Sequence, residues 1–445
     1  MTTNTNGKLV SGFSKMSKID KLNWVAQQLT DSVGALEDLK DFWHPKEEIQ
    51  KLLDEFSENT ISNFAVPFGV APNFIINDKP YVVPMVIEES SVIAAASNAA
   101  KFWSKYGGFK TEIISTIKSG NVHFMWEGPF EKLLAIKPEL EELILDATAP
   151  ITANMRARGG GITGVEILDH TQELKNYHKI RVEFETVDSM GANFINSCLE
   201  EIASILRDFI PQHPSFVGKE KEVKVIMSIL SNYTPDCLVK ASVSCQVSEL
   251  AELDKDHSPE EFAWKFEQAV RIAQVDTYRA TTHNKGIFNG IDAVAIATGN
   301  DFRAIEACGH TYASRNGKYT SLSDVSIENG VFTYWLTVPL AIGTVGGLTA
   351  LHPLAKRSLE LLGNPGAKEL MQIVAAVGLA NNFGALKSLV TKGIQIGHMK
   401  MHLMNILNQL EASEAEKVEA VHYFTHHKVS FNSVSQFLQN LRNPS

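Results

Sequence analysis

The sequence predicts a mixed α and β protein of two or three domains. Its 445 residues are more than one hydrophobic core usually serves, which sets the expected number of domains. Strand-like and helical segments alternate between about residues 115 and 220, so this stretch is expected to form a compact unit. Residues 8–58 and the chain from Leu370 onward instead show apolar residues spaced around charges, which is the pattern of helices.

The first part of the chain predicts a strand, a helix and a hairpin. Pro80–Ile87 is rich in β-branched residues and predicts a strand. The alanine-rich segment after it predicts a helix, with Ser90 or Ser91 as its cap and Gly107–Gly108 at its end. The segment "TEIISTIKSGNVHFMWEG" predicts two strands with Ser-Gly-Asn at the turn between them.

The unit at 115–220 continues with a helix near Phe130–Asp146, two strands and a second helix. The strands are "GVEIL" and "HKIRVEFETV", in which apolar and polar residues alternate. Asp188 is the predicted N-cap of the second helix, which begins in "DSMGANFIN". Gly191 and Asn193 are poor helix formers, so they indicate either a tight helix crossing or a ligand at the positive end of this helix.

The segment "GGGITG", Gly159–Gly164, has the spacing of a dinucleotide-binding motif. That motif should follow a strand and open a helix, whereas this one precedes a strand. We therefore reject an ordinary Rossmann unit. A different glycine-rich phosphate-binding turn, assisted by Arg156 and Arg158, stays open.

Composition excludes several classes of function. The formal charge of −10 argues against nucleic acid as the main partner, because phosphate binding needs a basic surface. The four cysteines form no CxxC pair, and we expect a reducing cytoplasm. No signal peptide is predicted at the N-terminus. The uncharged stretch Val331–Leu348 contains a proline and three glycines, so it predicts a buried strand and a turn rather than a membrane span.

Lys285 lies in "HNKGIFNG", beside an apolar segment whose only charged residue up to Asn300 is Asp292. The lysine has three interpretations: extension to solvent, a structural ion pair with Asp301, or polarisation of a carbonyl oxygen. Taken alone, the segment favours the ion pair with Asp301, but the glycines and Asn289 shift the balance towards the last, since they permit close approach of a ligand to the backbone.

Two other groups have both structural and chemical interpretations. The pair Glu88–Glu89 opens the alanine-rich helix, where a carboxylate interacts favourably with the helix dipole or, if desolvated, acts as an acid. His398 and His402 form HxxxH, but Met399 stands where a zinc protease motif has its glutamate, so no metal is expected. His398 is then either a structural residue or a proton donor near pH 7.

Six segments together resemble the 3-hydroxy-3-methylglutaryl-coenzyme A (HMG-CoA) reductase family, in its soluble bacterial form called class II. In order they are "ENTISNFAVPFGVAPNF", "VPMVIEESSVIAAAS", "DSMGANFIN", "YRATTHNKGIFNGIDAVAIATGND", "GTVGG" and "GIQIGHM". Each segment is modest alone, but their order and spacing from about Asn59 to His402 fit the family. The resemblance implies reduction of HMG-CoA to mevalonate and free coenzyme A with two nicotinamide hydrides, or the reverse, degradative direction. A coenzyme A enzyme without redox chemistry is the alternative, and the sequence offers it neither a nucleophile nor a metal site.

The resemblance also implies four catalytic residues. Lys285 would polarise the reacting oxygen, and Asp301 would hold Lys285 and Glu89 in a charge network. Glu89 would donate the proton in the aldehyde step. His398 would protonate the departing coenzyme A thiolate, a role that suits a group with a pKa near neutrality.

Binding residues follow from the same motifs. Those implied to hold the hydroxymethylglutaryl group are Ser91, Arg279 and Asn289, with Arg279 on its carboxylate. Those implied to bind the nucleotide are Asp188, Met190, Gly191, Asn193 and Gly164. "GTVGG", Gly343–Gly347, is implied to lie near the active site and coenzyme A.

Three positions depart from the family pattern. Ser189 replaces an alanine, and Ser62 stands where many members have glycine. At Gly164, members that prefer NADH can carry an aspartate, which would bind the ribose hydroxyls and repel a 2′-phosphate. Because this acid is missing, we expect NADPH to be accepted and preferred over NADH.

The implied fold class is α+β with a discontinuous large domain. Residues 1–114 and 221–392 would bind the substrate, and an inserted ferredoxin-like domain, 115–220, would bind NADPH or NADH. Residues 393–445 would form a helical flap that carries the histidine. The site of the family lies between subunits, so at least a homodimer is implied, in the cytoplasm, with no membrane or nucleic-acid partner.

Overall fold

The computed structural model describes residues 8–391, 403–425 and 427–442. The chain divides into two compact units, Met1–Pro67 and Phe68–Ser445. The described α-helices of the first unit are α1 Lys18–Ala26, α2 Ser32–Asp41 and α3 Glu47–Asp54. Within this unit, Lys18 pairs with Asp54 at 2.7 Å, and the Ser62 hydroxyl donates to the Leu39 carbonyl at 2.5 Å. Ser62 thus ties the end of the unit to its second helix.

The described strands of the second unit form three antiparallel sheets. They are β1 Phe68–Ile76, β2 Lys79–Val86, β3 Lys110–Ile113, β4 Lys118–Trp126, β5 Gly161–Asp169, β6 Tyr177–Glu185, β7 Val223–Leu230, β8 Leu238–Gln246, β9 Ser323–Glu328 and β10 Val331–Pro339. The α-helices are α4 Ser90–Trp103, α5 Phe130–Ala147, α6 Ala149–Arg156, α7 Ala192–Gln212, α8 Pro259–Val275, α9 Thr277–Ala297, α10 Phe302–Ala313, α11 Gly347–Leu351, α12 Pro353–Leu361, α13 Ala367–Val390, α14 403–409, α15 Glu414–Phe424 and α16 Phe431–Arg442.

The main core lies between the sheet β3-β8-β10-β9 and the helices α4, α8, α9 and α13. Strand β10 alternates buried and half-buried residues, as expected of a strand with one face on a core. It lies in the stretch Val331–Leu348, so the predicted strand is confirmed there. Among the described helices, α13 is long and apolar enough to cross a membrane, but 67% of its most apolar window is buried inside the protein. That burial is typical of a core helix.

Helices α9 and α13 pack closely because glycines face their contact. A Cβ atom on Gly290 would lie 2.7 Å from the Val377 carbonyl oxygen, and one on Gly378 would lie 2.8 Å from Ile291. The interpretation of the "HNKGIFNG" glycines as room for a ligand is therefore wrong for Gly290. This glycine lets the helix that carries Lys285 lie against the central helix of the core.

Residues 118–230 form a ferredoxin-like unit. Their order is β4, α5, α6, β5, β6, α7, β7, and the antiparallel sheet order is β5-β6-β4-β7. Helices α5 and α7 contribute to one core with the inward side chains of the sheet. The prediction of a ferredoxin-like rather than a Rossmann arrangement is confirmed. Strand β7 belongs to the same sheet and ends at Leu230, past the predicted end of the unit at residue 220.

Three local predictions were wrong. Ser119-Gly120-Asn121 lies inside β4 rather than in a turn, because Gly120 pairs with Val182 on one side and Leu230 on the other. The N-cap of α4 is Glu89 rather than Ser90 or Ser91. Asp188 does not cap α7, because Gly191 occupies that position with a φ of 88°, and its conformation suits glycine.

Helices α14, α15 and α16 contribute to a third, smaller core near the C-terminus. Its buried members include Leu407, Phe424 and Leu438. The predicted helical character of the last segment is confirmed for the residues that the structure describes.

Candidate active site

Lys285 and Glu89 form an ion pair between helices α9 and α4. The Lys285 Nζ lies 2.9 Å from the Glu89 Oε2, and the Ser91 hydroxyl donates to the other carboxylate oxygen at 3.2 Å. The lysine side chain is 61% exposed and the glutamate side chain 33% exposed. The ammonium is therefore accessible to a ligand, although the helix beneath it is buried.

Asp301 lies at the N-terminus of α10 and is held by its own helix. Its carboxylate accepts from the Arg303 side chain at 2.9 Å and from the amides of Arg303 and Ala304. Partial burial favours the neutral acid, but these hydrogen bonds outweigh it and lower the pKa of Asp301 below its usual value. Among the described residues, Lys285 has Glu89 and not Asp301 as its ion-pair partner. The structural pairing of Lys285 with Asp301 considered from the sequence is therefore absent within the described part of this chain.

Arg279 is a half-buried guanidinium without a carboxylate partner among the described residues. It lies near the start of α9, and burial lowers its pKa from the usual value. A desolvated cation is costly unless an anion compensates it. Asn289 lies on the same helix, four residues after Lys285, and is half-buried. Arg279, Asn289 and Ser91 therefore present one cationic group and two polar groups on helices α9 and α4.

A buried polar network fixes α9 beneath Lys285, and it was not among the sequence predictions. The His283 Nε2 lies 2.6 Å from the Ser323 hydroxyl, and the Asn382 amide donates to the His283 carbonyl at 2.9 Å. The Tyr334 hydroxyl also contacts Ser323 and Asn382. Burial and the nearby Arg279 lower the pKa of His283 to about 3, so this imidazole is neutral at pH 7. The only local signal was the placement of His283 and Asn284 just before Lys285.

Asp188 joins the "DSMGAN" segment to the N-terminus of α13. Its Oδ1 accepts from the Ala367 amide at 2.8 Å, which satisfies one of the free N–H groups at the start of that helix. Its backbone carbonyl accepts from the Thr344 amide at 2.8 Å, and Ser189 forms a bridge with Val345. The two motifs that were predicted to lie at the cofactors are thus in direct contact with each other.

Asn300 and Gly343 bring the α9–α10 connection to the same place. The Gly343 amide donates to the Asn300 side chain at 2.8 Å, and a Cβ on Gly343 would lie 2.4 Å from the Met190 nitrogen. Glycine is required at this close approach. The segment around Asp301 therefore lies beside the "DSMGAN" turn.

The start of α7 has the features of an anion-binding helix terminus. Gly191 is its N-cap without a side-chain cap bond, and a Cβ there would lie 2.6 Å from the Thr186 side chain. Met190 is half-buried and Asn193 is exposed, so both residues are accessible to solvent at this terminus. The first amides of a helix and its dipole favour negative charge.

Lys118 is a buried residue of this region that the sequence analysis missed. It is 4% exposed, and its Nζ donates to the Thr186 hydroxyl at 2.7 Å and towards the Ser189 carbonyl at 3.5 Å. The ammonium thus supports the turn before α7 from inside. Its position in an alternating strand gave no signal of burial.

Arg156 and Arg158 bind their own helix rather than a free surface. The Arg156 guanidinium donates to the Ala149 carbonyl and the Arg158 Nε to the Asn154 carbonyl. Gly164 lies on β5 opposite Glu183 of β6. His398 and His402 lie outside the described residues, so their predicted roles stay predictions.

Comparison with known proteins agrees with the geometry. Residues 20–403 match the family model for hydroxymethylglutaryl-coenzyme A reductase. The chain is 34% identical to the 3-hydroxy-3-methylglutaryl-coenzyme A reductase of Archaeoglobus fulgidus, covering 97% of this chain and 94% of that protein. It is 31% identical to the probable reductase of Borreliella burgdorferi, covering 91% and 90% of the two chains.

Solved structures give the same result. The 3-hydroxy-3-methylglutaryl-coenzyme A reductase of Streptococcus pneumoniae superposes with a TM-score of 0.70 at 35% identity, covering 97% of this chain and all of that one. A class II structure of that enzyme, bound to NADPH in open conformations, has a TM-score of 0.69 at 36% identity and covers 86% of this chain and all of that one. The motifs, the fold and these matches agree, and the chain belongs to the hydroxymethylglutaryl-coenzyme A reductase family.

Proposed function

We propose that this protein is an HMG-CoA reductase that converts HMG-CoA and two reduced nicotinamide nucleotides to mevalonate, coenzyme A and two oxidised nucleotides, with uptake of two protons. The observation that carries the proposal is the Lys285–Glu89 pair at 2.9 Å, an accessible cation beside a carboxylate. The cation stabilises the oxyanion that develops when hydride reaches the thioester carbonyl. The short distance to Lys285 supports a role for the Glu89 carboxyl group, when protonated, as proton donor to the same oxygen.

The reaction has two reductive stages that use the same ammonium. The first hydride converts the thioester to a hemithioacetal, which collapses to an aldehyde and the coenzyme A thiolate. The second hydride reduces the aldehyde, and Glu89 supplies the proton of the new hydroxyl. We assign protonation of the thiolate to His398 on its sequence motif alone.

The substrate's carboxylate is assigned to Arg279. Its half-buried guanidinium has no carboxylate partner among the described residues, so an anion from the substrate compensates its desolvation. We assign Ser91 of α4 and Asn289 of α9 to the hydroxyl and carbonyl groups of the same ligand on their family motifs.

The nucleotide's diphosphate is assigned to the start of α7. Asp188, Met190, Gly191 and Asn193 shape this turn, and Lys118 adds a positive charge behind it. The reductase of S. pneumoniae binds NADPH, and Gly164 of this chain carries no acid of its own, so NADPH is accepted here.

We further propose a cytoplasmic homodimer with the site between subunits. Lys285 and Asp301 are both partly exposed, and Asp301 does not contact Lys285 within the described chain. In the proposed dimer, Asp301 of a second copy would supply the carboxylate that the family motif implies beside Lys285. The proposed domains are a substrate domain from 1–117 and 231–392, a nucleotide domain at 118–230, which includes β7, and a flap at 393–445.

Steady-state kinetics with HMG-CoA test the proposal. Oxidation of NADPH or NADH, followed at the nicotinamide absorbance band, is expected only when HMG-CoA is present, with two nucleotides oxidised per coenzyme A released. Mevalonate, coenzyme A and the oxidised nucleotide should give the reverse reaction. Release of coenzyme A without nucleotide oxidation would instead identify a thioester enzyme without redox chemistry and refute the proposal.

A further inference from the structure

Glu183 places a carboxylate against Gly164, the position that lacks the family's aspartate. The two residues are cross-strand partners on β5 and β6. A Cβ atom added to Gly164 would lie 3.1 Å from the Glu183 Oε2 and 3.7 Å from its Cδ. The Glu183 carboxylate therefore lies next to the position that the side chain of an aspartate at residue 164 would occupy.

We propose that Glu183 is a specificity-determining residue for the nucleotide, supplying from β6 the negative charge that β5 lacks at Gly164. This inference rests on the proposed function and on the family motif, which implies that the nucleotide's ribose lies near Gly164. The carboxylate accepts hydrogen bonds from the ribose hydroxyls of NADH and repels the 2′-phosphate of NADPH. Gly164 alone leaves NADPH acceptable, and Glu183 limits how strongly it is preferred.

The charges around Glu183 leave its carboxylate only partly compensated. Among the described residues, the nearest cation is Arg181 at 3.8 Å, but the same guanidinium lies 2.6 Å from Glu166. The closer partner holds Arg181 away from Glu183. The Glu183 side chain is 38% exposed, so it is accessible to a ligand on this side of the sheet.

The bulge in β5 explains why the sequence did not reveal this contact. The register of β5 and β6 shifts between Ile162 and Gly164, which sets Gly164 opposite Glu183. Without the bulge, alternation would place a different side chain beside Gly164. A single sequence does not reveal such a register shift, so it does not predict which residues face each other beyond it.

The test compares Glu183→Gln with the unmodified enzyme, using kcat/KM for NADPH and NADH at saturating HMG-CoA. The ratio of kcat/KM for NADPH to that for NADH should rise about tenfold, as expected for the loss of one partly screened charge near the phosphate. The KM values should carry the change, with kcat similar for both nucleotides. Added salt should reduce the difference between the two enzymes.

Two further variants keep the result specific. Glu173→Gln removes one charge from an exposed side chain on the turn between β5 and β6 and should leave the ratio unchanged. Gly164→Asp in the Glu183→Gln background restores a carboxylate from the other strand and should bring the ratio back down. A ratio that stays within twofold for Glu183→Gln, or that falls because Arg181 is the phosphate ligand, overturns the inference. Absence of HMG-CoA-dependent oxidation of either nucleotide by the unmodified enzyme would instead overturn the proposed function.

Discussion

Replacement of Lys285 by alanine separates catalysis from stability. The ion pair with Glu89 joins side chains that are 61% and 33% exposed, and such solvent-screened pairs contribute about 0–1 kcal/mol to folding. Loss of a charge that stabilises a developing oxyanion costs about 3–4 kcal/mol in the transition state, or roughly 10²–10³ in rate. Lys285→Ala should therefore unfold at nearly the same denaturant concentration while losing almost all turnover.

The assay uses two substrates, because the lysine is proposed to act at both reductive stages. HMG-CoA reports the full reaction, and mevaldehyde reports the second stage alone. Both activities should fall by a similar factor. The matched control is Lys105→Ala, which removes an exposed lysine paired with Glu252 at 2.5 Å and should keep full activity. Turnover of Lys285→Ala above a tenth of the unmodified rate, or a large loss of stability in this variant alone, would refute the reasoning.

Two other substitutions test separate parts of the site, and a third tests a buried carboxyl group of α9. Arg279→Met should raise the KM for HMG-CoA by about 30–100-fold, as expected for a lost charge-assisted pair, without lowering the free energy of unfolding; an unchanged KM contradicts its assignment to the substrate carboxylate. Asp188→Ala removes the acceptor for the Ala367 amide and should lower the free energy of unfolding in urea by about 1 kcal/mol. It should also raise the KM for the nucleotide more than the KM for HMG-CoA; an increase confined to the KM for HMG-CoA contradicts this. Burial and the neighbouring Glu306 raise the pKa of Asp292 to about 8, so the folded protein holds this proton more tightly than the unfolded chain. Stability is then fully present below about pH 4 and is lost as the pH rises towards 8, and Asp292→Asn should flatten that loss when urea unfolding is compared at pH 5 and pH 8; an unchanged slope contradicts the assignment.

Local patterns predicted the kinds of elements well because periodicity directly reflects burial. The alternation in "HKIRVEFETV" became β6, and the run of apolar residues in "VFTYWLTVP" became β10. The pairing of Lys285 and Glu89 as one site followed only from the family motifs, since 196 positions separate them along the chain. No local property of either segment indicates that they meet.

What the sequence could not predict depends on tertiary contacts. Asp188 is a good N-cap by residue type, yet it binds the amide of Ala367 because the turn before α7 packs against the start of α13. Gly290 suited a ligand approach equally well, and only the position of α13 shows that a helix fills that space. The sequence predicts Lys118 as a surface residue of a strand, but its ammonium is buried and donates a hydrogen bond to the Thr186 hydroxyl.

The bond from Asp188 to Ala367 limits how this enzyme can be recombined with its relatives. The carboxylate is encoded in the ferredoxin-like segment, while the helix that it caps is encoded almost 180 residues later. A Cβ on Gly366 would lie 2.9 Å from the Asp188 carboxylate, so the position before the helix is also matched to this acid. A chimera that exchanges residues 118–230 alone would separate the two halves of this contact. A chimera that exchanges Gly366 and Ala367 together with residues 118–230 would take the Ala367 amide and the Asp188 carboxylate from the same parent.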